Sequence, residues 1–66
     1  MYFFWRDKVR ITDQDNAYNG QIGTVTDCFF QTAAKGSKDF CKVEIKVKGA
    51  TITTFVDNNR LQRASA

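Results

Sequence analysis

Histidine and proline are absent from this 66-residue sequence, and leucine occurs only once, at Leu61. Without histidine, the chain lacks the usual proton-transfer group near pH 7, the commonest zinc ligand and the usual base of a Ser or Cys nucleophile. Cys28 and Cys41 stand thirteen positions apart, without the paired close spacing of a zinc site. We therefore expect a protein that is not an enzyme, with no metal and no cofactor.

Long apolar runs are also missing. The aromatic segment at residues 2–5 is followed at once by a charge, at Arg6. No stretch reaches the ~18 apolar residues of a membrane-spanning helix or forms the apolar core of a signal peptide. We expect a cytoplasmic protein without a membrane partner, and therefore with reduced cysteines.

The small size predicts a single domain covering residues 1–66, close to the lower limit at which a chain folds alone. A homo-oligomer therefore stays open as a route to stability. Ten Lys and Arg residues against seven Asp and Glu give a net charge of +3, which permits attraction to phosphates. Sixteen residues are Val, Ile or Thr, a composition that favours β-strands.

Alternation of apolar and polar residues places the strands. Strands are predicted at residues 8–12, 21–31, 40–48 and 51–56, with a last short strand at Leu61. Residues 13–20 are rich in turn formers, and residues 57–60 can form one helical turn. Residues 32–39 have no apolar periodicity and predict a flexible loop, whereas residues 62–66 should form a frayed tail.

The two strands before the C-terminal turn define a core face. Cys41, Val43, Ile45 and Val47 should share it with Ile52, Thr54 and Val56, provided that a tight turn near Gly49 joins the strands. Five short strands leave two architectures, a small closed barrel or an open sheet that pairs with another copy. We expect an all-β, five-stranded barrel, since Gly20 and Gly23 can bend its strands.

Two segments carry a family resemblance. Residues 7–12 (DKVRIT), followed after a loop by residues 18–25 (YNGQIGTV), resemble the KOW motif of small SH3-like barrels, in which a charged and apolar strand leads into Gly-x-x-Gly-x-Val. Residues 55–61 (FVDNNRL) are similar to the helical turn and last strand of such barrels. The resemblance implies a binding module, since KOW domains contact RNA or polymerase and other SH3-like barrels bind proteins.

A basic surface with aromatic groups is the first functional hypothesis. Lysines could meet phosphates while unpaired bases stack on aromatic rings, giving weak binding of RNA or another single-stranded nucleic acid. The alternative is an ordinary solvated strand face whose lysines discourage edge pairing. The candidate nucleic-acid-binding residues are Arg6, Arg10, Tyr18, Lys35, Lys38, Phe40, Lys42, Lys46, Lys48 and Phe55.

The N-terminal aromatic segment supports a second hypothesis, docking on a protein of a larger complex. Successive residues of an extended segment point to opposite sides, so two of the four aromatic side chains should leave the core. The candidate protein-interface residues are Tyr2, Phe3, Phe4 and Trp5. They could instead close one end of the barrel. The two cysteines are expected to be small apolar residues of the core or strand faces rather than a redox pair.

Overall fold

The computed structural model describes residues 3–33 and 36–64, so the candidate residues Tyr2 and Lys35 lie outside the described part of the chain. A three-residue 3₁₀ turn, Asn58–Arg60, separates the last two strands. The strands are β1 (Lys8–Ile11), β2 (Ile22–Ala33), β3 (Gly36–Val47), β4 (Ala50–Asp57) and β5 (Leu61–Arg63).

All five strands belong to one antiparallel sheet with the order β4-β3-β2-β1-β5. The all-β prediction and the C-terminal helical turn are confirmed. Within the described residues β4 pairs only with β3, and β5 only with β1, so these two strands are the sheet edges. The sheet is therefore not closed by strand pairing, and the SH3-like barrel stays a prediction.

The core lies on one face of this sheet. Seven of its side chains are at most 1% exposed, although a flat single-layer sheet would leave that face in water. The sheet must therefore curl around its own apolar face. The core residues are Phe3, Val9, Ile11, Val25, Cys41, Val43, Ile45, Val56 and Leu61.

Phe3 was predicted to belong to a protein interface, and the structure corrects this prediction. Its side chain is only 5% exposed and belongs to the core. The aromatic segment therefore divides, because Phe4 and Trp5 stay 71% and 69% exposed. Burying one large ring helps to complete a core that a chain of this size can barely fill.

The β3–β4 hairpin places the predicted core-face residues of both strands on one face. Lys48 and Gly49 form its two-residue turn, with φ angles of 51° and 83°. Positive φ at both positions is typical of the type I′ turn that matches the strand twist. In this register Cys41 pairs with Val56, Val43 with Thr54 and Ile45 with Ile52.

A β-bulge at Thr26 changes which residues of β2 face the core. Val25 lies opposite Val43, but the next pair joins Asp27 to Lys42, so Thr26 is the extra residue. Its Oγ1 donates a hydrogen bond to the Lys42 carbonyl at 3.3 Å. An extra residue shifts the alternation by one and bends the strand. After the bulge Cys28 therefore shares the core side with Cys41.

The loop at residues 13–20 forms turns stabilised by its own side chains, as predicted. Asp13 Oδ1 accepts a hydrogen bond from the Asp15 N–H at 3.0 Å, and Asn16 Oδ1 accepts one from the Tyr18 N–H at 2.8 Å. Asn16 Nδ2 also donates to Thr54 Oγ1 at 3.2 Å, which ties the loop to β4. The Asp13–Asp15 and Asn16–Tyr18 contacts are Asx turns.

Strand pairing extends further than the sequence pattern indicated. The predicted loop at 32–39 is wrong for most of its length, because β2 continues to Ala33 and β3 begins at Gly36. Cross-strand backbone hydrogen bonds need no apolar periodicity, so polar side chains can stand on this exposed hairpin. The predicted frayed tail is likewise wrong for Gln62 and Arg63, which pair with β1.

Among residues 3–33 and 36–64, no helix has the length and apolar character required to cross a bilayer.

Candidate functional site

Three phenylalanine rings form a cluster on the outer face of the β2–β3–β4 sheet. The ring centroids of Phe29 and Phe40 are 5.2 Å apart, and Phe55 lies 6.3 Å and 6.1 Å from them. Phe29 is 39% exposed and Phe55 is 59% exposed, whereas Phe40 is half-buried between them. We call these three residues the phenylalanine platform. It offers an open aromatic surface to solvent.

The strand register explains the platform. Phe29 and Phe40 are direct cross-strand partners, and Phe55 is opposite Lys42 on the same outer face. Phe40 and Phe55 were predicted on this face, but Phe29 was not. Its outward position depends on the bulge. The sequence signal for the bulge is Asp27, because unbroken alternation from the buried Val25 would have turned this carboxylate toward the core.

Lysines border the platform. Lys42 lies between Asp27 and Phe55 in the register, half-buried on the outer face. No carboxylate of the described residues lies within 4.0 Å of its Nζ, whereas Lys38 pairs with Asp57 at 3.3 Å. The Lys38–Asp57 pair is well exposed and contributes little to stability. Lys42 and its cross-strand partner Asp27 thus lie on the outer face beside the aromatic rings.

A cationic groove continues the same face toward β1. Its volume is about 760 Å³. The Arg6 guanidinium lies 4.9 Å from the centroid of the Trp5 ring, which is a cation–π contact. Lys8 Nζ donates to Thr24 Oγ1 at 2.8 Å. The charged and aromatic residues that line the groove are Trp5, Arg6, Lys8, Glu44 and Lys46, so cations outnumber the single carboxylate.

Asp7 holds the N-terminal segment against the sheet. Its Oδ2 accepts a hydrogen bond from the Phe4 N–H at 2.8 Å and pairs with Arg63 at 3.0 Å. The hydrogen bond from the Phe4 backbone, helped by Arg63, lowers the pKa of Asp7 below its usual 3.8. Arg63 also lies 5.3 Å from the centroid of the Phe3 ring. These contacts hold the backbone on both sides of Trp5 and so fix the position of Trp5.

The other predicted site residues are dispersed. Tyr18 is half-buried and packs against the core, so it does not belong to the platform. Arg10 is exposed on β1, in register with Ile22 at the margin of the groove. Lys48 is exposed in the β3–β4 turn. The structure thus brings together Arg6, Phe40, Lys42, Lys46 and Phe55 on one face, beside Lys38.

The described residues include no group of three or more Cys, Asp or Glu side chains able to hold a metal ion. They also leave no buried polar side-chain atom without a hydrogen-bond partner. What the outer face presents is exposed aromatic area next to positive charge. Comparisons with protein-family models, with curated proteins and with solved structures gave no significant match to this chain.

Proposed function

We propose that the outer face binds single-stranded nucleic acid, RNA in particular, with the phenylalanine platform and the cationic groove as a continuous contact surface. The observation that carries the proposal is the exposure of the platform. Phe29 and Phe55 keep 39% and 59% of their surface in solvent beside Lys42. A solvated strand face needs lysines but no open aromatic rings, which are a known stacking surface for unpaired bases.

The two parts of the surface have different roles. Bases stack on Phe29 and Phe55 and are accepted without regard to sequence, because every base has a π-face. Lys42 and Lys46 lie on outward positions of β3, with Glu44 on the outward position between them. Their ammonium groups attract the phosphates of the same strand. Glu44 reduces the net charge, and weak binding follows from that reduction.

We propose further that this surface belongs to a small SH3-like barrel of the KOW type. The sheet curls around one core to which Val56 of the edge strand β4 and Leu61 of the edge strand β5 both contribute. The 3₁₀ turn between them has the position that the KOW-like resemblance implies. Nucleic-acid binding does not require the barrel to be closed, because the platform and groove lie on β1 to β4 and on the segment just before β1.

Salt dependence is the direct test. We expect a labelled single-stranded RNA of about 12 nucleotides to bind with an affinity that falls about twentyfold between about 50 and 200 mM salt. That change corresponds to about three phosphate contacts, each contributing about −0.7 to the slope of log affinity against log salt concentration. Fluorescence anisotropy at several salt concentrations measures it. Replacing Lys42 and Lys46 with Gln should reduce the slope.

The control for this titration is Arg60→Gln, which removes one exposed positive charge from the 3₁₀ turn instead of from the outer face. Its salt slope should equal that of the unaltered protein. Absence of binding at about 50 mM salt, or an affinity that does not change with salt, would contradict the proposal.

A second candidate function, docking on a protein of a larger complex, is favoured by Phe4 and Trp5. Both side chains are about 70% exposed on adjacent residues, and Trp is enriched at the energetic centres of interfaces. Trp5→Ala should then abolish capture of a protein partner from nuclease-treated lysate, measured by quantitative mass spectrometry. Phe30→Ala, a change at another exposed ring, should leave capture intact. Equal capture by both variants would reject this candidate.

A further inference from the structure

We propose that Cys28 and Cys41 are an intramolecular disulfide site, in which the two thiols close when the folded protein meets a small-molecule disulfide such as oxidised glutathione. The sequence alone indicated two structural cysteines. The fold makes them direct cross-strand partners on the core side of the β2–β3 ladder. Both are thiols in the structure.

The β3–β4 hairpin shows whether Cys28 and Cys41 are a hydrogen-bonded or a non-hydrogen-bonded cross-strand pair. Val47 and Ala50 flank the two-residue turn and are therefore a hydrogen-bonded pair. Hydrogen-bonded and non-hydrogen-bonded pairs alternate along the ladder, so Cys41, six residues before Val47, is also hydrogen-bonded to β4. The N–H and C=O of Cys41 thus point toward β4 and away from β2. Cys28 and Cys41 are a non-hydrogen-bonded pair.

The β2–β3 ladder gives the same answer independently. The Val25 N–H donates to the Asp7 carbonyl at 2.9 Å and the Val25 C=O accepts from the Arg6 N–H at 2.7 Å, so Val25 and Val43 are a non-hydrogen-bonded pair. Cys41 lies two residues before Val43 on β3, so its pair with Cys28 is again non-hydrogen-bonded. The Cys28 N–H agrees, because it donates to Asp27 Oδ1 at 2.9 Å. Side chains are closest at such positions, with Cα atoms about 4.5 Å apart, inside the disulfide range of about 4.4–6.8 Å.

The two thiols differ in access. Cys28 is exposed, whereas Cys41 is 1% exposed in the core. Burial, followed by the hydrogen bond and charge of the neighbouring Cys28, raises the pKa of Cys41 to about 12. A buried thiol of this kind is a poor first nucleophile, because the thiolate is the reacting form. Cys28 is therefore the residue that meets the oxidant.

The reaction has two exchange steps. The Cys28 thiolate attacks one sulfur of oxidised glutathione, which forms a mixed disulfide and releases one glutathione thiolate. The Cys41 thiol then loses its proton to solvent, and its thiolate attacks Cys28 Sγ and releases the second glutathione. The net change oxidises two protein thiols and reduces one glutathione disulfide to two thiols. Burial of Cys41 in the core disfavours its thiolate, so the second step is the slow one at neutral pH.

Closure has a consequence for the N-terminal segment. Cys28 Sγ donates to the Phe3 carbonyl at 3.4 Å, and Cys41 Sγ donates to Asn58 Oδ1 at 3.7 Å. A disulfide has no S–H donor, so both of these hydrogen bonds are lost together. The oxidised form therefore holds the segment that carries Trp5 less tightly than the reduced form.

The test is equilibration of the protein with mixtures of reduced and oxidised glutathione, followed by acid quenching and intact mass analysis. We expect the closed form to dominate over the mixed disulfide, with an effective thiol concentration above the millimolar range of a flexible linkage. The effective thiol concentration in native buffer should exceed that in denaturant at least tenfold, because the folded register brings the two thiols together. A persistent mixed disulfide, or equal values in the two solvents, would overturn the proposal.

The matched control moves the exposed thiol to the opposite face of the same strand. The double variant Cys28→Ser with Gln31→Cys keeps two cysteines, but residue 31 faces outward opposite Lys38. It should accumulate the mixed disulfide and fail to close. Both positions are exposed in the structure, so the fold should tolerate the exchange, which near-unchanged circular dichroism would verify. Closure of this variant as readily as the unaltered protein would also overturn the proposal.

Discussion

Gly23→Ala should lower the free energy of unfolding by about 2–3 kcal/mol, a large part of the ~3–10 kcal/mol typical of a domain of this size. A Cβ at this position would lie 2.6 Å from Val43 Cγ1 and 2.7 Å from the Glu44 carbonyl oxygen. The oxygen belongs to the backbone, so β2 and β3 must move apart to accept the methyl group. Thermal unfolding followed by circular dichroism should show a Tm lower by about 10–20 °C.

The control is Gly49→Asn, at the second turn position of the β3–β4 hairpin. No atom lies within 4 Å of a Cβ placed there, and φ is 83°. Asn tolerates this conformation, so the loss should stay below about 1 kcal/mol. Gly23 is outside the positive-φ residues, so its requirement is space rather than backbone conformation. A Gly23→Ala protein as stable as Gly49→Asn would contradict the close approach of β2 to β3.

Regular alternation made the C-terminal hairpin predictable. Val43 and Ile45 alternate with charged residues, and the Gly49 turn fixes the register by which Ile52 and Val56 join the same core. A period of two can place side chains on one face only if the pleat is unbroken. That condition holds for β3 and β4, so the outward positions of Lys42, Lys46 and Phe55 followed from the sequence.

The rest of the candidate site was not predicted, because a bulge interrupts the alternation of β2. The bulge at Thr26 turns Phe29 outward and Cys28 inward, and a single inserted residue has no sequence signal stronger than the misplaced Asp27. Both the platform and the proposed disulfide site depend on that shift. Phe3 is a different case: four consecutive aromatic residues have no period, so only the shape of the unfilled core decides which ring enters.

Phe55→Ala should weaken binding of single-stranded RNA about fivefold to 150-fold, the loss that corresponds to removing about 1–3 kcal/mol of base stacking. The ring is 59% exposed at the edge strand β4, so its removal takes little from the core. Phe55→Tyr should keep most of the affinity, because it keeps the π-face. Anisotropy titrations with the same labelled RNA measure the three affinities, and circular dichroism checks the fold.

The salt slope then separates stacking from charge. Phe55→Ala removes no cation, so its affinity should fall by the same factor at every salt concentration and leave the slope unchanged. Lys42→Gln should instead make the slope shallower. Phe30→Ala removes a ring that is 65% exposed but lies in register with Asp39, on the face opposite the platform, and it should change neither quantity. If Phe30→Ala weakens binding as much as Phe55→Ala, the RNA contacts exposed aromatic surface in general, and the phenylalanine platform is not its site.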